Sequence, residues 1–256
     1  MSSYERAAAI GAALFLVALL GVAGLSTAYF KTAPRLLQRV TDPIRSQLPG
    51  YRCPTAIEPV AGRAMCEVRT GRLVASADCT DTARLNEQLL PFGDVPATLN
   101  EGRCRIQLSA SNQLAGVRLV SGDRGDGVLM ADFEISSGQL IVALAVRCQE
   151  TSCLTLAVNN AGDFEVRERH GADKWTQLAT GNGSSPSGPL ATSHTNRLVF
   201  QYRQGRWIAY LNNRRIANGA FHLKAGEIGT ANFFADNADS KPISVSLDRL
   251  YLFAAA

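Results

Sequence analysis

Closely spaced carboxylates are the first residues in this chain whose types suit chemistry. Asp132-Phe-Glu134 and Glu165-Val-Arg-Glu168 come nearest to such a pair. Glycoside cleavage needs two carboxyl groups flanking the scissile bond at a few ångströms' separation. In a strand, Asp132 and Glu134 share the face away from Phe133, the pattern of a solvated strand surface. Glu165 and Glu168 fall on opposite strand faces and do not converge. Neither pair is expected to be catalytic, and the chain reads as a non-enzyme.

His170, His194 and His222 are scattered without metal-ligand spacing. They read as surface or loop residues unless folding brings them together, so no metal and no cofactor are expected. Asp123-Arg-Gly-Asp-Gly127 carries two acids that suit calcium, but a plain turn between strands explains the same residues. Trp175, Trp207 and Tyr210 offer ring faces for stacking on a sugar and are the candidate ligand-binding residues. Burial in a core is the competing role for such aromatics. No serine nucleophile elbow, phosphate-cradling loop or zinc-protease motif is present.

The cysteines point to a compartment rather than a reaction. Cys53, Cys66, Cys79 and Cys104 lack a Cys-x-x-Cys pair and have no histidine among them, which argues against a zinc ribbon and for two disulfides. Three pairings are possible, and the spacing does not choose among them. Cys148 and Cys153 bracket a short polar stretch between two strand-like runs. If those runs form a hairpin, the two sulfurs face each other at disulfide distance. Three bonds with no thiol left over fit an oxidising environment.

The elements that must position these residues are short strands. Leu198, Phe200 and Tyr202 alternate with more polar neighbours, and so do Leu129, Ala131, Phe133 and Ile135. Residues 140–147 are apolar on both faces, as a covered central strand would be. Gln204-Gly205 and Asn212-Asn213 are turn signals. In the last run, Val245 and Leu247 share a face before the apolar phase jumps to Leu250 and Leu252, which predicts a β-bulge near Asp248. Residues 81–90 read as one short helix, and residues 180–190 as a surface loop rich in turn formers. Within that loop, Asn182-Gly-Ser184 is a formal glycosylation acceptor.

This order of motifs resembles the laminin-G-like and concanavalin-A-like sandwich domains, in particular the bacterial 3-keto-disaccharide hydrolase-like group. The resemblance rests on Asn196-Arg-Leu198, Ala209-Tyr-Leu-Asn-Asn-Arg-Arg215, Gly226-Glu-Ile-Gly229 and Val245-Ser-Leu-Asp-Arg-Leu250. Upstream, Met130-Ala-Asp-Phe-Glu-Ile135 and Ala143-Leu-Ala-Val-Arg-Cys148 fit its opening strands. It covers residues 104–254 and implies an all-β, antiparallel jelly-roll sandwich. Glycan-cleaving members of that class carry Glu-x-Asp-x-x-Glu on one strand, which this sequence lacks. The fold itself hosts lectins, hydrolases and adhesion modules alike.

Residues 7–30 contain no charge and are long enough to cross a bilayer as a helix. A cleaved secretory signal ending near Ser26-Thr-Ala28 is the rival reading. Residues 34–48 place Leu36, Leu37, Val40, Ile44 and Leu48 at helical spacing, with Arg35, Arg39 and Arg45 off that stripe. Together with Lys31, those arginines form the expected membrane-surface group. They also hold most of the +4 net charge, which leaves the remainder near neutral and excludes a nucleic-acid surface. The positive charges alone would put the C-terminal side in the cytoplasm, whereas the cysteines favour the extracytoplasmic side.

The expected organisation is an anchor over 1–30, a basic amphipathic helix over 31–50, a disulfide-containing neck over 51–103 and the sandwich over 104–256. The expected role is a single-pass membrane protein whose extracytoplasmic sandwich binds a glycan or protein partner. The alternative is an accessory or structural subunit of a larger membrane complex, and a third reading is a hydrolase acting on glycans.

Overall fold

The computed structural model describes residues 68, 70–79, 89–94, 98–100, 103–123, 125–137, 139–182, 190–192, 194–223, 229–237 and 241–255. The expected anchor, the expected basic helix with Lys31, Arg35, Arg39 and Arg45, and Cys53 and Cys66 lie outside the described residues. Among the described residues, no helix is long and apolar enough to cross a membrane.

Every element among the described residues is a strand. In chain order they are β1 (Thr70–Asp78), β2 (Leu89–Gly93), β3 (Thr98–Asn100), β4 (Arg103–Leu108), β5 (Leu114–Asp123) and β6 (Gly127–Ser137). β7 (Leu140–Cys148), β8 (Ser152–Asn159), β9 (Phe164–His170), β10 (Trp175–Gly181) and β11 (Asn196–Arg203) follow. β12 (Arg206–Leu211), β13 (Arg214–Ala220), β14 (Gly229–Asn237) and β15 (Ile243–Ala255) complete the set. They form two antiparallel sheets. One is 8-stranded, in the order β13-β12-β11-β6-β15-β4-β3, with β1 also paired to β15; the other is 7-stranded, in the order β10-β9-β8-β7-β14-β5-β2.

The alternation read from the sequence builds the core between them. Leu129, Ala131, Phe133 and Ile135 of β6 and Leu198, Phe200 and Tyr202 of β11 face Val142, Leu144 and Val146 of β7 and Ala231, Phe233 and Ala235 of β14. The rings of Phe133 and Phe233 meet across the layers at 5.5 Å. Each of the valine, leucine, isoleucine and phenylalanine side chains among them contributes about 1.5–3 kcal/mol on burial. β7 is the middle strand of its sheet and is buried along nearly its whole length, as its two apolar faces predict.

The local turn chemistry holds. Asn212 and Asn213 both have positive φ (49° and 64°), and Leu211 pairs directly with Arg214. That is the two-residue hairpin suited to the strand twist. Gln204 and Gly205 form the equivalent turn between Arg203 and Arg206. At Cys148–Cys153 the hairpin carries one extra residue, Arg147, with φ 54°. Val146 still faces Leu154, and beyond Arg147 the two cysteines come to a Cα separation of 4.1 Å and bond.

The bulge expected near Asp248 is present: Leu247 pairs with Phe133, but Arg249 pairs with Asp132. β15 changes its other neighbour at the same place, from β4 (Leu247 opposite Cys104) to β1 (Asp78 opposite Arg249). The Asp248 carbonyl, freed from the regular ladder, accepts the Cys79 N–H at 3.0 Å. The Cys79–Cys104 disulfide then ties the end of β1 to the start of β4 beside the bulge.

Three expectations need correction. The described part of the stretch taken as a neck is not a separate body, because β1, β2 and β3 are strands of the two sheets. A boundary at residue 104 therefore falls inside the sandwich. Leu89 and Leu90, expected at the end of a helix, lie in β2 opposite Leu119 and Arg118, where strand pairing overrides their helical spacing. Thr180 and Gly181, assigned to a loop, are the last residues of β10.

The Cys79–Cys104 bond closes a sequence separation of 25 residues. Restricting a loop of that length in the unfolded chain stabilises the fold by about 3–4 kcal/mol. Replacing both cysteines with alanine should lower the denaturant midpoint accordingly under oxidising conditions. An unchanged midpoint would show that the bond contributes nothing.

Candidate functional site

The outward face of the seven-stranded sheet carries a mostly polar row, interrupted by Ala145. Arg118, Asn232, Ala145, Thr155, Arg167 and Gln177 are successive cross-strand partners from β5 to β10. They point away from the core because their neighbours Val117, Phe233, Leu144, Leu156 and Val166 point into it. Arg118 Nε donates to Asn232 Oδ1 at 3.2 Å, and its guanidinium lies 5.7 Å over the Phe92 ring. Thr155 Oγ1 is buried and has no hydrogen-bond partner among the described residues. Further along this face, Asp236 carries a carboxyl raised above its usual range, first by burial and then by the charge of Asp94.

Trp175 stands on the same face, two residues beyond Gln177 and opposite Arg169. It is 44% exposed, and the Arg169 guanidinium lies 5.6 Å from its ring centre. Arg169 Nη2 in turn donates to the carbonyls of Gln149 (2.6 Å) and Glu150 (2.8 Å). Those carbonyls belong to the loop closed by the Cys148–Cys153 bond, so a disulfide-held loop fixes the cation that backs the indole.

The other two aromatics proposed from sequence do not join it. Trp207 is 1% exposed and sits in the core against Phe200, with Nε1 donating to the Ala220 carbonyl at 3.2 Å. Tyr210 is buried in a second apolar cluster, on the outer face of the eight-stranded sheet, with Val68, Val128, Met130, Val199 and Phe253. Trp207 is in phase with the core residues Ala209 and Leu211, whereas for Tyr210 strand phase alone cannot separate a covered outer face from an open one.

The carboxylates are partly as expected. Asp132 is not solvated: it lies directly opposite Arg197 and receives its Nε (2.6 Å) and Nη2 (2.7 Å), with both side chains almost fully buried. A carboxylate locked in this bidentate pair is unavailable as an acid or base. Glu134 Oε1 accepts from Thr195 Oγ1 at 3.5 Å. Glu165 faces outward to Arg167 at 2.6 Å, while Glu168 turns inward, so those two point to opposite faces as read.

Asp126, in the Asp-Arg-Gly-Asp turn, binds the buried Arg147 at 2.8 Å and accepts the Gln204 N–H at 2.9 Å. It acts as a structural turn residue. The Asn-Arg-Leu motif is also structural. Asn196 is fully buried and bonds both the N–H and carbonyl of Ala191, while Asn212 Oδ1 accepts the Arg197 N–H at 2.9 Å.

One grouping was not foreseen. His170, the last residue of β9, and His222, just after β13, converge on Glu168. Glu168 is fully buried, whereas the His170 and His222 side chains are 37% and 74% exposed. Glu168 Oε1 accepts the His222 main-chain N–H at 2.6 Å, and Oε2 lies 3.1 Å from His170 Nε2 and 3.2 Å from His222 Nδ1. The apolar phase of Phe164 and Val166 signals that Glu168 points inward, but nothing local announces His222. His194 is not part of this group.

No protein-family model matches the chain, and no curated protein matches it. Solved structures do. A Bacillus subtilis protein of unknown function with a galectin-like fold superposes with a TM-score of 0.55 at 10% identity, covering 73% of this chain and 98% of that one. The potassium-bound carbohydrate recognition domain of Emp46p gives 0.53 at 11% identity, covering 69% and 93%. A native glycosidic hydrolase gives 0.54 at 8% identity, covering 73% and 98%. At these identities the likeness concerns the fold, which binding domains and hydrolases share. The described chain is thus an all-β, antiparallel sandwich of the galectin-like and concanavalin-like kind.

Proposed function

We propose that this chain is a non-catalytic, single-pass membrane protein whose sandwich binds a glycan outside the cytoplasm. The observation that carries the binding role is Trp175, a half-exposed indole held from behind by a fixed guanidinium, beside a row of polar groups on one sheet face. A sugar ring offers C–H groups to such an indole and hydroxyls to the exposed Arg167 and Gln177. The likeness to the Emp46p carbohydrate recognition domain is consistent with that use.

The absence of a catalytic role is supported by the locked Asp132 and by the opposed Glu165 and Glu168. Membrane attachment is supported by the uncharged residues 7–30, and the outside location by the two disulfides Cys79–Cys104 and Cys148–Cys153. The narrower kinship with the 3-keto-disaccharide hydrolase-like domains belongs to this proposal too, on the motifs quoted above.

The test is a glycan array probed with the full chain in mild detergent, beside Trp175→Ala. Loss of the stacking surface should weaken binding about tenfold, equivalent to ~1.4 kcal/mol, with the denaturation midpoint unchanged because the ring is half-exposed. Equal binding by both proteins would remove Trp175 from the site. No glycan binding, together with stoichiometric co-purification of other membrane proteins, would favour the accessory-subunit role instead.

A further inference from the structure

The geometry of Glu168, His170 and His222 points to a binding site for a divalent transition metal ion of the zinc class, which we propose as a site separate from the glycan face. Glu168 has 0% exposure, and its carboxylate oxygens meet the two imidazoles and the His222 main-chain N–H. A divalent cation seated between the three side chains would draw a ligand atom from each of them.

The donor atoms suit one. Tetrahedral zinc with bonds near 2.0–2.1 Å holds its ligand atoms about 3.3 Å apart. Glu168 Oε2 lies 3.1 Å from His170 Nε2 and 3.2 Å from His222 Nδ1, and one ligand atom from each residue falls within 4.8 Å of the other two. The carboxylate is already aimed. The His222 main-chain N–H holds Oε1 at 2.6 Å, which leaves Oε2 facing both rings, the outer-shell support that metal-bound carboxylates use. The partial exposure of both imidazoles gives an ion access from solvent. Two histidines and one carboxylate leave a fourth position for water or a ligand atom.

The placement also gives the site a mechanical role. Glu168 and His170 belong to β9 of the seven-stranded sheet, whereas His222 leaves β13 of the eight-stranded sheet. A bound ion would therefore clamp the two layers at one edge, next to the strand pair β9–β10 that carries Trp175.

The experiment titrates Zn2+ into the untagged, chelator-stripped full chain at neutral pH and follows binding by calorimetry and stability by thermal unfolding. One equivalent of zinc should bind and raise the Tm, with Mg2+ giving no response. His170→Ala and His222→Ala should each weaken zinc binding by roughly tenfold or more, and neither should alter glycan binding. Since Glu168→Ala risks unfolding the chain, the two exposed histidine variants carry the test. No zinc response, or full affinity retained in both histidine variants, would overturn the site.

Discussion

Replacing Asp132 with alanine should destabilise the protein by about 3–5 kcal/mol, because it leaves the Arg197 guanidinium buried without its anion. The pair is bidentate at 2.6 and 2.7 Å, and the two side chains are only 2% and 6% exposed. It spans β6 and β11 at directly opposed positions, so neither partner can swing out to water without opening that ladder. Removing both charges should cost much less than removing one: a double change, Asp132→Leu with Arg197→Met, replaces the ions with apolar bulk. Denaturant unfolding of the two variants measures this directly. A loss below about 1 kcal/mol for Asp132→Ala would mean that the pair is solvated like an ordinary surface bridge.

Trp207→Ala should cost a similar amount, about 3–5 kcal/mol, by leaving a large cavity between the layers. The indole is 1% exposed, packs 6.2 Å from Phe200, and uses its one polar atom on the Ala220 carbonyl. Its fit is tight enough that a Cβ placed on Gly219 would lie 2.7 Å from Trp207 Cζ2. Gly219→Ala should therefore also destabilise, since a close-packed ring has no room to retreat. Calorimetric unfolding separates this residue from Trp175: the first substitution removes stability and the second removes only ligand contact. A Trp207→Ala protein with an unchanged Tm would place the indole outside the core.

What the sequence revealed was what neighbours along the chain decide. The Asn212-Asn213 and Gln204-Gly205 turns depend on residues that tolerate positive φ, and their φ values are positive. The bulge at Asp248 was visible as a phase slip in one strand, and the Cys148–Cys153 bond as two runs joined by a short loop. The central position of β7 followed from apolar residues on both its faces.

What stayed hidden was set by strands far apart in sequence. Asp132 reads as surface because its outward phase is correct. Only the β6–β11 register puts Arg197 over it and excludes water. Trp207 and Trp175 both sit at strand starts, yet one begins a strand facing the core and the other an edge strand. The convergence of His222 on Glu168 and His170 needs both layers stacked, and no spacing within one segment encodes it.

Whether this sandwich holds a glycan without cleaving it is decided by incubating the full chain with a glycan it retains. Bound sugar and newly formed reducing ends are quantified in the same sample. Saturable retention with the glycan recovered intact is the expected result. Reducing ends that accumulate with the wild-type protein, and vanish with Glu134→Gln or Glu168→Gln, would contradict it.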